Sequence, residues 1–216
     1  MNVKIVEQHF EMLTAFTVYS RFARDLEYFG RVCYKSENKI SPDSCTNFIR
    51  RIIRSGHESV LEHANLTIKF ITDRATANAL VRHRHCAFSQ ESTHYINYLK
   101  QDELQVVRQI NFPEVAFYET VKNIIEQYAK SEAVQSKIRR CLLPLCLKTE
   151  LVMTTNLREW RHILRIRTEK HCHPQMRKLM LQVFDWFAWN LTIFVEDIVE
   201  SHRQENNIAI LKGGIR

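Results

Sequence analysis

Hydrophobic residues recur along this chain mainly at the three- to four-residue spacing of helices, and in a few stretches at the alternating spacing of strands. The alternation over residues 66–71 predicts a strand, and Asp73 after it is a suitable cap for a helix over 74–81. Mixed apolar and charged residues over 11–28 predict another helix, which we expect to end near Gly30. The first third of the chain is therefore predicted to mix helix and sheet.

Outside these segments, the chain is predicted to be mostly helical. Further predicted elements are a strand over 3–7 and helices from about 44 to Gly56, over 114–139 in one or two pieces, from Asn156, and from Pro174 to about His202. No repeat, low-complexity segment or Pro/Ser linker interrupts residues 1–216. We therefore predict a single domain of the α/β (α+β) class.

Composition adds a preference for anionic partners. The formal net charge of +7 and the pI of about 9.2 predict attraction to nucleotides, nucleic acid, phosphorylated small molecules or acidic lipids. Only four glycines are present, and the Gly-rich turns of dinucleotide-binding folds and phosphate loops are absent, so a nucleotide must be held by side chains. No apolar leader, membrane-length apolar run or Cys-x-x-Cys pair is visible, so we expect a cytoplasmic protein with free thiols.

The stretch RHRHCAFSQESTHY, residues 82–95, concentrates positive charge beside hydroxyls and amides. The planar guanidinium groups of its two arginines suit phosphate or carboxylate partners. Four consecutive basic residues point in different directions, so some must face the protein, where a buried charge needs an anion. A solvated basic turn would explain the charges alone, but the hydrogen-bonding groups that follow them favour a ligand site.

Possible metal ligands lack the spacing of zinc sites. The segment GHESVLEH, residues 56–63, holds two histidines and two glutamates, but the zinc-protease pattern His-Glu-x-x-His is absent. The histidines and the cysteine of residues 171–173 are adjacent, and adjacent residues seldom coordinate one ion with good geometry. We therefore expect no metal site.

A further group of arginines follows helical spacing after Asn156. Arg158, Arg161 and Arg165 fall on one stripe of the predicted helix. An arginine at the edge of an apolar face is a candidate for a partly buried charge that faces a ligand. For Arg161 and Arg165, however, we expect a solvated surface.

The order of basic and hydroxyl residues resembles the signature of the flavin-dependent thymidylate synthases. Arg82, His83, Arg84 and, after seven further residues, Ser92 fit that family's Arg-His-Arg-x7-Ser pattern. Other segments resemble family motifs in the same order, namely Gly56-His57-Glu58-Ser59 with Glu62-His63, Arg140 with Leu143-Pro144, and Asn156 with His162, Leu164 and Arg167. The resemblance spans roughly residues 25–200, nearly the whole chain.

The resemblance implies an α/β fold with a central mixed sheet flanked by helices, assembled as a homotetramer whose active sites are shared between chains. It implies methylation of dUMP to dTMP, with FAD as cofactor, methylenetetrahydrofolate as carbon donor and NADPH as reductant. Reduced flavin supplies hydride to the uracil ring in this chemistry, and no protein nucleophile is needed. Arginines that hold anions and stabilise negative charge on a pyrimidine suit such a reaction.

By position, the resemblance also implies roles for individual residues. Flavin contacts fall on His57, Arg82, His83, Arg84, Glu91, Asn156, Arg158 and His162. Nucleotide contacts fall on Arg82, Gln90, Glu91, Ser92, Thr93, His94, Arg140 and Arg167. Ser92 and Arg167 are the catalytic candidates, and the guanidinium of Arg167 at the uracil edge would favour ionisation of N3.

Departures from the family pattern fall mainly on the nucleotide side. His94 stands where a phosphate-binding arginine is usual, and a histidine is only partly charged at neutral pH. Ala79 stands where Gln or Glu is common, and Cys33, near the flavin, stands where Ser is common. An active synthase, a relative that modifies another pyrimidine nucleotide, a non-catalytic flavin binder and a basic nucleic-acid-binding protein therefore remain as hypotheses, the last without a recognisable motif.

Overall fold

The computed structural model describes residues 2–131, 134, 138 and 140–199. Over the described residues the chain forms two compact units. The first unit is Met1–Thr14, Leu66–Thr155 and Lys170–Leu179, and the second is Ala15–Asn65, Asn156–Glu169 and Met180–Arg216. The single domain expected over 1–216 stays a prediction.

Strands and helices alternate along the described part of the chain. The strands are β1 (Asn2–Val6), β2 (His9–Met12), β3 (Asn65–Asp73), β4 (Ala87–Gln90), β5 (Glu103–Val107) and β6 (Lys148–Asn156). The helices are α1 (Phe16–Tyr19), α2 (Phe22–Val32), α3 (Ser44–Arg54), α4 (Arg74–Leu80), α5 (Glu114–Lys130), α6 (Leu157–Arg167) and α7 (Pro174–Asn190). The predicted α/β class is confirmed.

The strands form two sheets in the described residues. The larger sheet has the order β2–β3–β6–β4, with β2 antiparallel to β3 and β4 antiparallel to β6. β1 and β5 pair in parallel in a separate two-stranded sheet. The outer pairs of the larger sheet are therefore antiparallel, whereas the pair in the smaller sheet is parallel.

β6 is an inner strand, between β3 and β4, and its two faces are unlike. Leu151 and Met153 are fully buried on one face, where Thr149 and Thr155 are buried with them. Lys148 and the other residues of the opposite face are only half-buried. A period of two places alternate side chains on opposite faces of a strand, so one face meets the core and the other is open to charged groups.

Helix α5 contributes a stripe of side chains to the core of the first unit. Phe117, Val121, Ile125 and Tyr128 recur at helical spacing and are buried. They form one hydrophobic cluster together with Tyr98, Leu104, Val106 and Leu147. Burying such side chains stabilises a fold by about 1.5–3 kcal/mol each. The cluster therefore holds α5 against β5, a strand of the two-stranded sheet.

The turn from β3 into α4 has the predicted cap. The Oδ1 atom of Asp73 accepts a hydrogen bond from the backbone N–H of Thr76 at 2.6 Å. Its Oδ2 atom accepts a second from Nε2 of Gln109 at 3.2 Å. Asp73 therefore starts α4 directly at the end of a buried strand, and this fixes where the basic residues after α4 begin.

Two glycines of the second unit act differently. A Cβ atom on Gly30 would lie 2.5 Å from Cζ of Phe48, so a larger residue there would displace the buried Phe48 ring between α2 and α3. α2 ends at Val32, so the predicted end near Gly30 is confirmed. Gly56 follows α3 with a φ of +69°, which glycine adopts at little cost, so the predicted stop there is confirmed.

Two helix predictions are wrong in extent. The segment predicted as one helix over 11–28 begins in β2, which ends at Met12, and the helix that fills its second half starts only at Phe22. Helix α7 ends at Asn190, short of the predicted His202. A 3₁₀ turn at Thr192–Phe194 follows it, and residues beyond 199 lie outside the described residues.

Three further sequence predictions concern the extent of α5, membrane-spanning helices and the state of the cysteines. α5 accounts for the first part of the helix predicted over 114–139, and most of 131–139 lies outside the described residues. Where the structure describes the chain, it contains no helix with the length and apolar character needed to cross a membrane. All six cysteines are free, as expected.

Candidate functional site

A cavity of about 750 Å³ opens in the second unit beside α2, α3 and the 3₁₀ helix Glu58–His63. Its polar wall consists of Arg31, Lys39, Arg51, His57 and Arg158 with the hydroxyl groups of Ser36, Ser55 and Ser59. We call it the basic cavity. It brings together His57 and Arg158, two positions to which the family resemblance assigns flavin contacts.

Two arginines of the basic cavity are neutralised by neighbouring glutamates. Arg31 donates from Nε and Nη2 to Oε1 of Glu27 at 2.8 and 2.6 Å, and this pair is buried. Arg158 donates from Nη1 to Oε1 of Glu62 at 2.5 Å in an exposed pair. Arg31 is therefore part of the structural frame, whereas Arg158 can exchange its exposed partner for a ligand.

Two further cations of the basic cavity lack such a partner. Among the described residues, no carboxylate oxygen lies within 4 Å of Lys39 or Arg51. The guanidinium of Arg51 lies 5.4 Å from the centroid of the Phe48 ring, a contact that holds the group in place without neutralising it. The cavity therefore keeps a positive charge that attracts anions.

Arg161 on α6 is completely buried, so the prediction of a solvated Arg161 is wrong. Its Nη1 donates to Oδ1 of Asp197 at 2.8 Å and to the carbonyl oxygen of Phe194. Its Nη2 donates to Oδ2 of Asp197 at 2.9 Å and to Oε1 of Glu58 at 3.0 Å. The partners come from residues far apart in sequence, which is why helical spacing alone gave no sign of them.

Arg165 completes a charge cluster with Arg161, Asp197 and Glu58. Its side chain is 43% exposed, and its Nη2 donates to Oδ2 of Asp197 at 2.7 Å. Burial raises the pKa of the Asp197 carboxyl, but the hydrogen bonds and charges of Arg161 and Arg165 outweigh burial and lower the pKa to about 2. Two carboxylates thus balance two guanidinium groups.

Helix α6 positions four of the predicted contact residues. Asn156 caps the helix, because its Oδ1 accepts the backbone N–H of the third helical residue at 2.9 Å. Arg158 reaches the basic cavity from the first turn, and His162 is exposed one turn later. Arg167 lies half-buried in the last turn. The side-chain oxygen of Asn156 is therefore engaged by the helix itself.

In the first unit, the Arg-His-Arg segment forms a turn between α4 and β4. His83 is buried, at 7% exposure, whereas Arg82 and Arg84 are exposed. Some of these basic side chains were expected to face the protein, and His83 does. β4 begins at Ala87, a strand that the sequence did not predict because its four residues carry no clear alternation of apolar side chains.

The residues after β4 form a tight turn around Ser92. The Oγ atom of Ser92 accepts the backbone N–H of His94 at 3.2 Å, and its carbonyl accepts those of Tyr95 and Ile96 at 3.2 and 3.1 Å. Thr93 and His94 are half-buried, and the His94 ring packs edge-on against the exposed Tyr95 at 4.9 Å. The predicted nucleotide loop is therefore an ordered turn organised by the serine of the signature.

Glu91 is held by groups of its own unit. Its Oε1 accepts the hydroxyl of Tyr98 at 2.7 Å, and its Oε2 lies 3.4 Å from Nζ of Lys148. Glu150 joins Lys148 at 2.7 Å and Lys69 at 2.7 Å, and these two lysines lower the pKa of the Glu150 carboxyl. Burial, and then the bond to Glu91, raise the pKa of the Tyr98 hydroxyl. The sheet face thus carries alternating, balanced charges.

A second cavity, of about 610 Å³, lies in the first unit. We call it the amide cavity, and it is lined by Gln90, Gln101 and Gln105 together with Lys69, Ser89, Glu91, Ile96, Tyr98, Leu147, Lys148, Glu150 and Val152. Nε2 of Gln90 is buried and has no hydrogen-bond partner within the described residues. A buried amide without a partner costs about 1–3 kcal/mol, so a ligand that accepts this hydrogen bond would be favoured.

The other predicted positions are spread over both units. Arg140 is exposed in the 3₁₀ helix Arg140–Leu142, and Ala79 is half-buried on α4. Cys33 lines the basic cavity, where the family resemblance placed it near the flavin. Lys39, Arg51, Tyr98 and Lys148 were not singled out from the sequence, since they belong to no motif and only the fold brings them to a cavity.

Comparison with known proteins assigns the chain to a family. Residues 17–189 match the family described as "Thymidylate synthase complementing protein". The flavin-dependent thymidylate synthase of Mycolicibacterium gilvum is 31% identical over 183 residues, covering 73% of this chain and 72% of that protein. The enzyme of Mycobacterium avium is 31% identical over 180 residues with the same coverage. This chain belongs to the flavin-dependent thymidylate synthase family.

Solved structures agree with the fold of that family. The UMP/dUMP methylase PolB from Streptomyces cacaoi, bound with 5-Br dUMP, matches with a TM-score of 0.71 at 20% identity, covering 93% of this chain and 97% of its own. ThyX from Helicobacter pylori, with FAD and dUMP, matches with a TM-score of 0.70 at 18% identity, covering 88% and 98%. The predicted family, fold and enzyme class are confirmed.

Proposed function

We propose that this protein methylates dUMP to dTMP, with FAD as cofactor, methylenetetrahydrofolate as carbon donor and NADPH as reductant. The observation that carries the proposal is the basic cavity on residues of the matched region 17–189. His57 and Arg158, where the family resemblance implies flavin contacts, line it beside two cations without carboxylate partners among the described residues. The charge and the family together favour an anionic flavin over a nucleic acid.

The residues present in the basic cavity fit FAD. Its volume of about 750 Å³ lies within the roughly 300–1,000 Å³ of small-molecule sites. Lys39, Arg51 and Arg158 would neutralise the pyrophosphate, and the serine hydroxyls and His57 would hydrogen-bond the sugar and ring. FAD in its reduced form supplies hydride to the pyrimidine. The protein's part is to bind, orient and shield the reactants.

Nucleotide contacts are proposed on the first unit. Arg82 and Arg140 are exposed and have no carboxylate oxygen within 4 Å in the described part of the chain, so both can take a phosphate, with His94 as a third contact. The turn of Ser92 presents hydroxyl and backbone groups to the nucleotide. Gln90, Glu91 and Thr93 are the further proposed nucleotide contacts in this stretch. His83, Arg84, Asn156 and His162 are the remaining proposed flavin contacts.

The catalytic part of the proposal belongs to Arg167 and Ser92. A guanidinium at the uracil edge stabilises negative charge on the ring and so favours ionisation of N3. Ser92, fixed by its own turn, would hold the nucleotide in register with the hydride donor. No side chain is asked to form a covalent bond to the ring.

A second candidate is methylation of UMP as well as dUMP. One structural neighbour, PolB, is named a UMP/dUMP methylase and was solved with both 5-Br dUMP and 5-Br UMP. Ala79 and His94 weaken the expected nucleotide contacts on this chain, so the family pattern for dUMP is incomplete here. Relative rates with the two nucleotides distinguish the candidates.

The test uses purified protein and measures bound flavin and its oxidation. We expect FAD to copurify or to bind on addition, NADPH oxidation to be stimulated by dUMP, and dTMP to appear when the folate donor is added. If FAD is bound but no pyrimidine nucleotide accelerates its oxidation, the protein is not a synthase and the flavin-binder hypothesis remains. A homotetramer with shared sites and a cytoplasmic location are part of the same proposal, and light scattering measures the first.

A further inference from the structure

The charge cluster around Arg161 takes no part in the proposed chemistry, yet it is joined to the wall of the basic cavity. Glu58, which Arg161 holds at 3.0 Å, stands between His57 and Ser59, and both of these line the cavity. Arg158 lines the same cavity from the turn of α6 that precedes Arg161. The buried guanidinium therefore links two parts of one wall.

The contacts of Arg161 restrict the position of Glu58 strongly. Among the described residues, its two terminal nitrogens donate to Asp197, to the carbonyl of Phe194 and to Glu58, while its Nε has no partner. The side chain is completely buried, and the planar guanidinium presents its donors in a fixed fork. Glu58 and Asp197 therefore cannot shift without breaking a charged hydrogen bond inside the protein.

We infer that Arg161 is a positioning residue for the flavin site. By holding Glu58, it fixes the segment His57–Ser59 against α6, so that His57 and Arg158 keep their positions in the cavity wall. Asp197 acts as the counter-anchor that keeps the guanidinium in place. The inference rests on the proposed function, because it names a support of the proposed FAD site.

A nearby ion pair provides a matched control. Arg50 of α3 donates to Glu196 at 2.9 and 2.7 Å, one residue before Asp197 on the same C-terminal segment. Arg50 does not line the basic cavity and makes no described contact with Glu58. Arg50→Met therefore removes an anchor of the same segment without releasing the cavity wall.

The experiment compares Arg161→Met, Arg161→Lys, Glu58→Gln and Arg50→Met in two measurements. The first is amide hydrogen exchange of residues 57–63 in flavin-free protein at a temperature where each variant is folded. The second is the dissociation constant for FAD. We expect Arg161→Met and Glu58→Gln to speed exchange of 57–63 and to weaken FAD binding about tenfold or more, with Arg161→Lys intermediate and Arg50→Met close to wild type.

A double variant separates positioning from general destabilisation. If Arg161 acts through Glu58, Arg161→Met should weaken FAD binding little further in a Glu58→Gln background, whereas independent effects would add. Should Arg161→Met not fold, Glu58→Gln weakens the same link from the other end, because it removes the charge of the acceptor. Unchanged exchange of 57–63 in the folded variants overturns the inference. Wild-type protein that binds no FAD overturns the proposed function instead, and the exchange result still decides whether Arg161 holds this wall.

Discussion

The basic cavity and the amide cavity are of similar size but differ in electrostatic character. In the basic cavity, Lys39 and Arg51 have no carboxylate within 4 Å among the described residues. In the amide cavity each lysine meets a glutamate, with Lys148 at 2.7 Å from Glu150. The first therefore attracts anions, while the second offers hydrogen bonds at nearly balanced charge.

The difference shows what each cavity can select. A residual positive charge favours any phosphate-bearing molecule and gives little discrimination between rings. An unpaired buried amide, as at Gln90, rewards a ligand that supplies one acceptor in one direction and penalises a ligand that does not. We therefore expect cofactor affinity to depend on the basic cavity and substrate discrimination to depend on the first unit.

Removing Arg167 tests whether catalysis is separate from cofactor binding, and it should have the largest effect. Arg167 lines neither cavity in the described structure and lies half-buried in the last turn of α6. Arg167→Ala should lower kcat about 10²- to 10³-fold, as expected for the loss of a group that stabilises developing charge, with FAD binding retained. Steady-state turnover and flavin content measure the two effects.

The control for Arg167 is Arg21→Ala, which removes a largely exposed guanidinium paired only with Asp25 in the described residues. It should leave turnover unchanged. If Arg167→Ala kept more than about a tenth of wild-type turnover, its assignment to the uracil edge would be wrong.

Reversing one charge in the basic cavity should have the next largest effect. Arg51→Glu places a carboxylate in the wall, and we expect FAD affinity to fall about tenfold or more, because a charge-assisted contact is replaced by repulsion. Binding of the nucleotide should change little. Fluorescence titration with FAD at two salt concentrations measures the loss, which should shrink at high salt because exposed charges are screened.

Arg54→Glu is the matched control, with the same change of net charge on the next turn of α3 but outside the cavity wall. An equal loss of FAD affinity in both variants would mean that overall charge, rather than the cavity, attracts the cofactor.

Replacing Gln90 by leucine should give two opposite effects of moderate size. Without ligand, Gln90→Leu should raise the free energy of unfolding by about 1 kcal/mol, since a buried amide lacking a partner is removed. The same change should weaken nucleotide binding about tenfold, because the ligand loses its donor. Urea unfolding and the KM for nucleotide measure the pair of effects.

Gln105→Leu serves as the comparison for Gln90, because its amide already donates to Glu103 at 3.3 Å. Gln105→Leu should show neither the gain in stability nor the loss of nucleotide affinity. Lower stability with unchanged nucleotide affinity in Gln90→Leu would contradict a ligand role for the amide cavity.

The parts of the fold that were predicted are those whose signals are local. The cap at Asp73, the glycine after α3 and the alternation of β3 each depend on a few neighbouring residues. β4 and β6 escaped prediction because β4 is short and β6 buries Thr149 and Thr155, so neither has an apolar face that stands out. For such segments, pairing with neighbouring strands determines that they form a strand, and the pattern of apolar residues does not.

The site divides in the same way. The signature residues from Arg82 to Ser92 were found because their order along the chain is itself the signal. Arg161 was assigned to solvent because its helix shows a stripe of cations, while the acids that bury it lie at positions 58 and 197. Lys39 and Arg51 reach a cavity only after α2 and α3 pack. Long-range pairing therefore explains both the wrong assignment and the omissions.

The smallest expected effect concerns His94, the residue in the Ser92 turn that departs from the family pattern. His94 is half-buried, with its backbone N–H bound to Ser92, so an arginine there would point from the same ordered turn. His94→Arg should tighten nucleotide binding about 3- to 10-fold, because a guanidinium is fully charged and can contact two phosphate oxygens. Tyr95→Arg, at the 85% exposed neighbour, adds one positive charge to the same loop and should change affinity less. If both variants gained equally, the gain would come from general charge, and the alignment of His94 with the family's phosphate contact would be wrong.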